Sequence, residues 1–323
     1  MTQTLATQQC NLKPPSVINR EQLRCLYTEL LQKSLQDSVC ETAKKNLLDQ
    51  LNLDHNETSA IIASIEQVPA LQLLLDQDAR ILEGYSIREH TSMVLDQFNF
   101  YLSNSKLNLP VSKPAILAGL LFHDLGKSLP DEKSEQHIFN VSVIRQFKDI
   151  LPMSENELEI ILSVIQNDVI GKFVISCVEK FATVDQRTQI REKALIEPLA
   201  TAELIDFQQI VQFKSLNDQI VDASISVIKD ISNRAQQLGI TAEELFNIHV
   251  IFYQADTAAY TYDSCDLNSK RAHPGLDFLY QLDDSKEVSA GDRILVSDPD
   301  LGILQFGDEV RKFIQLLRGN LVQ

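Results

Sequence analysis

The 323-residue chain is short of positive charge: 29 Lys and Arg stand against 45 Asp and Glu, for a formal net charge of −16. A nucleic-acid groove is therefore not expected, because a phosphate backbone selects for basic side chains. A small phosphorylated ligand is still compatible, since a local cation overrides the global field within a Debye length of roughly 8 Å. Long apolar runs are also missing. None approaches the roughly 20 residues that a membrane-spanning helix requires. The opening Met1-Thr2-Gln3-Thr4-Leu5-Ala6-Thr7 lacks the basic-then-apolar pattern of a secretion signal. A cytoplasmic protein with no membrane partner is the expectation. The five cysteines (Cys10, Cys25, Cys40, Cys177, Cys265) are odd in number and form no C-x-x-C pair, so reduced thiols are expected. No Walker-type loop, Gly-x-Ser-x-Gly elbow, internal repeat or low-complexity run is present.

The apolar residues recur at helical spacing. From about Glu21 to Leu82 they fall three and four apart (Leu23, Leu26, Leu30, Leu31, then Leu47, Leu48, Leu51), which predicts successive helices. Ser154 with Glu157, and Thr241 with Glu244, have capping-box spacing. The first pair opens a helix to about Gln166, the second a helix to about Tyr262. A helix is also expected from Ile87 to Tyr101. Residues 1–15 read as a loose polar arm ending in Pro14-Pro15, and 16–84 as a helical extension packed on the core. Arg187 to Arg234 reads as a helical insertion broken near Pro198 and Asn217. The last part, 263–323, reads as an irregular loop, a small hairpin over Ile294–Phe306 and a closing helix from Asp308 to Leu317. The fold class is all-α.

The most informative stretch is Leu121-Phe122-His123-Asp124-Leu125-Gly126-Lys127. An imidazole and a carboxylate follow directly on an apolar run from Ala115 to Phe122. Burying such groups unpaired costs on the order of 2–7 kcal/mol each, and more for a charge. A metal ion bound by both removes that cost. Further donors stand at His90, between Ile87 and Val94 on one predicted helix face, and at Asp256. On the Thr241 helix, Asp256 shares a face with Phe252, Tyr253, Ala259 and Tyr260. Gly126 is placed to end the helix carrying the pair and to turn Lys127 toward the cavity.

The order His90, His123-Asp124, Asp256 resembles the HD superfamily of metal-dependent phosphohydrolases, whose helical fold gathers a His, a His-Asp pair and a distant Asp around one metal. Gly126-Lys127 and the preceding apolar helix fit the same family. The resemblance covers about residues 85–262. It implies an HD-type core in which His90, His123, Asp124 and Asp256 hold a divalent ion. The imidazole–carboxylate set suits Mn, Fe, Co, Ni or Zn. In many members a histidine follows the pair and serves the substrate or a second metal; His137 stands at about that distance. Relatives with two metals often place imidazoles on the next helix, where this chain has Ile165-Gln166-Asn167-Asp168. One metal is therefore expected. Asp124, Lys127 and His137 are the expected catalytic residues, Lys172 a candidate phosphate contact, and His249 a core histidine outside the site. The implied activity is hydrolysis of a phosphomonoester or phosphodiester, with a nucleotide as the expected small-molecule partner. The alternative is a regulatory or binding protein that retains the scaffold without turnover.

Overall fold

The computed structural model describes residues 19–36, 38–53, 57–80, 85–99, 109–171, 213–259 and 321. Ten α-helices and no strand occur among the described residues, so the all-α class holds. The expected arm at 1–15, Lys172, Tyr260, the first part of the insertion (187–212) and the C-terminal loop, hairpin and helix (263–317) lie outside them.

Four helices come first: α1 (Arg20–Gln36), α2 (Val39–Leu51), α3 (Thr58–Glu66) and α4 (Pro69–Leu75). Their periodicity decides which faces are buried. Ala43, Leu47 and Leu51, spaced by four, are buried on α2, whereas Leu48 on the other side is exposed. On α1 the buried face is Leu23 and Tyr27; Leu30 and Leu31 pack against its edge. Burial pushes the Tyr27 phenol far up, and its hydroxyl donates to Gln146 at 2.5 Å. Pro69 opens α4, where its missing N–H costs nothing. These helices pack on the later ones, α3 against α5 (Ile87–Gln97) and α2 against α6 (Lys113–Phe122).

Helix α6 is the centre of the molecule. Every residue from Ala115 to Phe122 is buried, the pattern of a helix surrounded on all sides. Ser112 caps it by accepting the Ala115 N–H. Gly119 lets neighbours approach: a Cβ there would lie 2.8 Å from both Ile161 Cγ2 and Phe252 Cζ. Those two side chains belong to α8 (Glu155–Gln166) and α10 (Ala242–Ala259), the helices predicted from the two capping boxes. Both boxes form: Glu157 accepts the Ser154 N–H at 2.8 Å, and Glu244 accepts that of Thr241 at 2.8 Å. The second oxygen of Glu157 accepts the Ser112 N–H at 2.8 Å, tying the start of α8 to the start of α6.

Helix α7 (Gln136–Gln146) packs between α6 and α8. The remaining helix, α9 (Phe213–Leu238), corrects one expectation: it runs unbroken through Asn217. Asparagine costs well under about 1 kcal/mol in a helix interior, and the buried or half-buried stripe Val227, Ile228, Ile231, Ala235, Leu238 outweighs it. The helix ends at Gly239, which takes φ +69°.

Candidate metal centre

Three local structures bring four side chains to one point. His90 lies in the first turn of α5, whose start is set by a capping box: Ser86 Oγ accepts the Glu89 N–H and Glu89 accepts the Ser86 N–H at 2.7 Å. The Ser86-x-x-Glu89 spacing was present in the sequence and is the signal that fixes where His90 projects. His123 is the C-cap of α6, and Asp124 follows in a tight turn where the Lys127 N–H bonds the Asp124 carbonyl. Asp256 lies near the end of α10. Gly126 does not end the helix as expected, since α6 stops at Phe122. It serves close packing instead. A Cβ at 126 would lie 2.4 Å from the carbonyl carbon of Phe139, and the Gly126 N–H bonds Asn140 Oδ1 at 2.8 Å.

One donor atom from each of His90, His123, Asp124 and Asp256 lies within 4.8 Å of all the others. His90 Nε2 is 2.8 Å from Asp256 Oδ1 and 3.5 Å from Asp124 Oδ2. His123 Nε2 is 3.6 Å from Asp124 Oδ2 and 3.5 Å from Asp256 Oδ1. Metal–ligand bonds of about 2.0–2.2 Å at tetrahedral or octahedral angles put neighbouring donors roughly 3–3.5 Å apart, close to the 2.8–3.6 Å of these four His–Asp pairs. His123 adds a further sign. Its Nδ1–H donates to the Leu120 carbonyl at 2.6 Å, which leaves Nε2 turned toward the acids. That nitrogen is buried without a hydrogen-bond partner. Fixing one ring nitrogen on a carbonyl so that the other faces the ion is the usual support of a metal-binding imidazole. The four residues fit a divalent ion, and the cluster could hold one.

Charge in the cluster is arranged to match. Burial works to lower the His123 pKa, but Asp124 and Asp256 beside it outweigh burial and raise it to about 9. Burial also opposes ionisation of Asp124, yet the Lys127 and His123 cations hold its carboxyl below the usual range. Asp256, likewise opposed by burial, is held well below it by the His123 and His90 rings beside it. Lys127, itself buried, sets its ammonium 2.8 Å from Asp124 Oδ2. The turn closed by the Lys127 N–H and the Asp124 carbonyl, not a helix end at Gly126, accompanies this pairing of Lys127 with Asp124.

His137 stands half-buried in the first turn of α7, and its ring is not among the four clustered donors. Asp168 accepts the Gly171 N–H at 2.8 Å and is also outside the cluster. His249 is buried, with Arg234 Nη1 3.4 Å from its Nε2, two turns before Asp256.

One set of supporting residues carried no sequence signal. Arg80, at φ +59°, donates to the carbonyls of Lys127 (3.2 Å) and Pro130 (2.9 Å). From α1, Arg24 donates to the Leu129 carbonyl at 3.1 Å and Arg20 to that of Asp131 at 2.6 Å. Three guanidiniums therefore clasp the backbone that follows the His-Asp pair. The contacts span 47 to 111 residues, far beyond any periodicity. No helix among the described residues is long and apolar enough to cross a membrane. No protein-family model, curated protein or solved structure matches the chain.

Proposed function

We propose that the protein is a divalent-metal-dependent phosphohydrolase of the HD type, acting on a phosphomonoester or phosphodiester, with a nucleotide as the preferred class. The observation that supports this reading is the convergence of His90, His123, Asp124 and Asp256 at coordination spacing beside the ammonium of Lys127. His90, His123, Asp124 and Asp256 would hold the ion. When bound there, a divalent ion supplies Lewis acidity that polarises a phosphoryl oxygen and acidifies water.

The chain's own groups do the rest. The same Asp124 oxygen, Oδ2, faces both histidines and Lys127, so the ammonium is kept close to wherever a phosphoryl oxygen would sit. A fixed cation in a water-poor setting stabilises charge that develops on such an oxygen. Burial of Lys127 and of the turn from His123 to Pro130 excludes bulk water from one side. His137, at the start of the helix that abuts Gly126, is assigned the proton for the leaving oxygen.

The test is hydrolysis of phosphate esters by purified protein with added Mn. Turnover should appear on at least one ester. Asp124→Ala should abolish it while circular dichroism and melting temperature show a folded chain. Stoichiometric metal without turnover across a broad ester panel would instead mark a regulatory protein built on the same scaffold.

A further inference from the structure

Four donors serve one ion only if the elements that carry them stay in register. His90 comes from the first turn of α5, and the His123-Asp124 pair follows the end of α6. The stretch Gln77–Arg80, between α4 and α5, is bonded to both. Asp78 and Ser86 form an antiparallel bridge. Beside it the Ala79 N–H donates to the Tyr85 carbonyl at 2.9 Å, and the Ile87 N–H to the Gln77 carbonyl at 2.7 Å. Ser86 is the N-cap of α5 and Ile87 its first residue, so the bridge anchors the helix one turn before His90.

Arg80 leaves this bridge through left-handed backbone. At φ +59° it is the one non-glycine residue with positive φ among the described residues. A side chain disfavours that conformation, which persists only where the surroundings hold it. Three hydrogen bonds do so. The Arg80 N–H donates to Asp78 Oδ1 at 2.7 Å, Nη1 to the Lys127 carbonyl at 3.2 Å and Nη2 to the Pro130 carbonyl at 2.9 Å. Lys127 is in turn bonded twice to Asp124, by its N–H to the carbonyl at 2.9 Å and by its ammonium to Oδ2 at 2.8 Å. A run of bonds therefore leads from the start of α5 through Arg80 and Lys127 to Asp124. Arg20 and Arg24 grip the same stretch, but from α1. Of the three guanidiniums, Arg80 is the one whose own segment is bonded to the helix of His90.

We propose that Arg80 is a positioning residue of the metal centre, its guanidinium holding the start of the His90 helix in register with the His123-Asp124 turn. This rests on the reading of the four-donor cluster as a divalent-metal site, and not on hydrolysis. Arg80 touches no cluster ligand; it acts through the backbone that follows them. The planar fork of a guanidinium meets two carbonyls at once in a fixed geometry, whereas a lysine ammonium is a point charge on a flexible stem. Charge alone therefore does not replace it. Residues that orient the ligands of a metal are typically worth 10- to 100-fold in its affinity.

The experiment is equilibrium dialysis of the full chain against Mn, with the visible absorption of Co-loaded protein as a second readout of coordination geometry. Arg80→Gly removes the guanidinium while supplying a residue that accepts φ +59° freely, so the turn itself is not penalised. Arg80→Lys keeps the charge. Both variants, folded by circular dichroism, should bind Mn about 10-fold or more weakly than the wild type and show an altered Co band. Arg24→Gln, which strips a guanidinium from the same stretch without touching the anchor of α5, should cost about threefold at most. Mn affinity within about threefold of wild type in the folded Arg80 variants would overturn the proposal. So would an equal loss in Arg24→Gln, or failure of both Arg80 variants to fold, since either would make the role purely structural. Wild-type protein that binds neither Mn nor Co would remove the metal centre and this inference together. Metal binding that ignores Arg80 would remove the inference alone, and Arg80-dependent binding without hydrolysis of any ester would remove only the hydrolase reading.

Discussion

Two polar clusters lie along α10, two turns apart, and they resolve burial in opposite ways. At His249 the neighbours are donors. Arg234 Nη1 approaches its Nε2, reaches the Ser163 carbonyl and hydroxyl at 3.3 Å, and the same guanidinium bonds Asp230 at 2.6 Å through Nη2. The Ser163 carbonyl and hydroxyl, His249 Nε2 and Asp230 Oδ2 all meet this one guanidinium. At Asp256 two carboxylates and two imidazoles converge, so acceptors crowd one point and one ammonium answers only part of the need. Both histidines, 249 and 90, are buried. Burial alone does not separate a structural histidine from one that holds an ion; the balance of donors and acceptors does.

The comparison breaks most visibly at the acids. Asp256→Ala should weaken Mn binding by more than the roughly 10- to 100-fold that supporting residues around a metal are worth. Equilibrium dialysis or a fluorescent metal indicator would measure it, and affinity near the wild-type value would remove Asp256 from the ligand set. The other cluster should respond in stability instead. Arg234→Met leaves Asp230 and the Ser163 carbonyl without their donor and should cost about 2 kcal/mol in urea unfolding. Mn affinity should stay within about threefold in that variant, since no ligand touches Arg234.

Acidity sharpens the contrast next. In metal-stripped protein the His123 pKa is raised to about 9. An ion needs the bare ring, so affinity should rise about tenfold per pH unit from pH 7 toward 9 and then level off. The stability linkage has the opposite sign. A raised histidine pKa contributes fully below its unfolded value near 6.5 and loses that contribution as pH climbs through about 9. Metal-stripped protein should therefore melt lower at pH 9.5 than at pH 6.5, while metal-loaded protein should not follow that trend. A pH-independent Mn affinity over this range would contradict the proton–metal exchange.

The smallest expected effect lies away from both clusters. Glu157→Gln should cost about 1 kcal/mol, the typical worth of a cap. Burial opposes the Glu157 charge, but hydrogen bonds from Ser154 and Ser112 hold its pKa below the usual value. Its contribution is thus present above the unfolded carboxyl range and lost as pH falls through the lowered value. The wild type and the Gln variant should converge in melting temperature at acid pH.

How much of this was legible beforehand depended on the range of the interaction. The capping boxes at Ser154 and Thr241 could be read because a cap stands three residues from its partner, and the four clustered donors because their order along the chain resembles the HD pattern. The Ser86 box had the same spacing and went unread. What stayed hidden came from contacts with no sequence period. Asn140 reaches Gly126 across 14 residues and turns a presumed helix terminator into a packing contact. Beyond the end of α6 at Phe122 the chain enters the turn closed by the Asp124 carbonyl, which hydrophobic spacing does not encode. Asn217 misled in the other direction, because a weak local breaker yields to a long apolar stripe. Segments such as Ile294–Phe306 lie outside the described residues.

The arginine clasp has a consequence for how the chain can be divided. Arg20 and Arg24 lend their N–H groups to carbonyls that immediately trail the ligand pair, so the first helix is mechanically continuous with the most chemically loaded turn in the molecule. A shortened chain beginning at the expected core boundary near residue 85 would lose those two guanidiniums and Arg80 together. The carbonyls of Lys127, Leu129 and Pro130 would lose their donors in a stretch that is otherwise buried. The leading helices are thus better regarded as part of the vessel than as its handle.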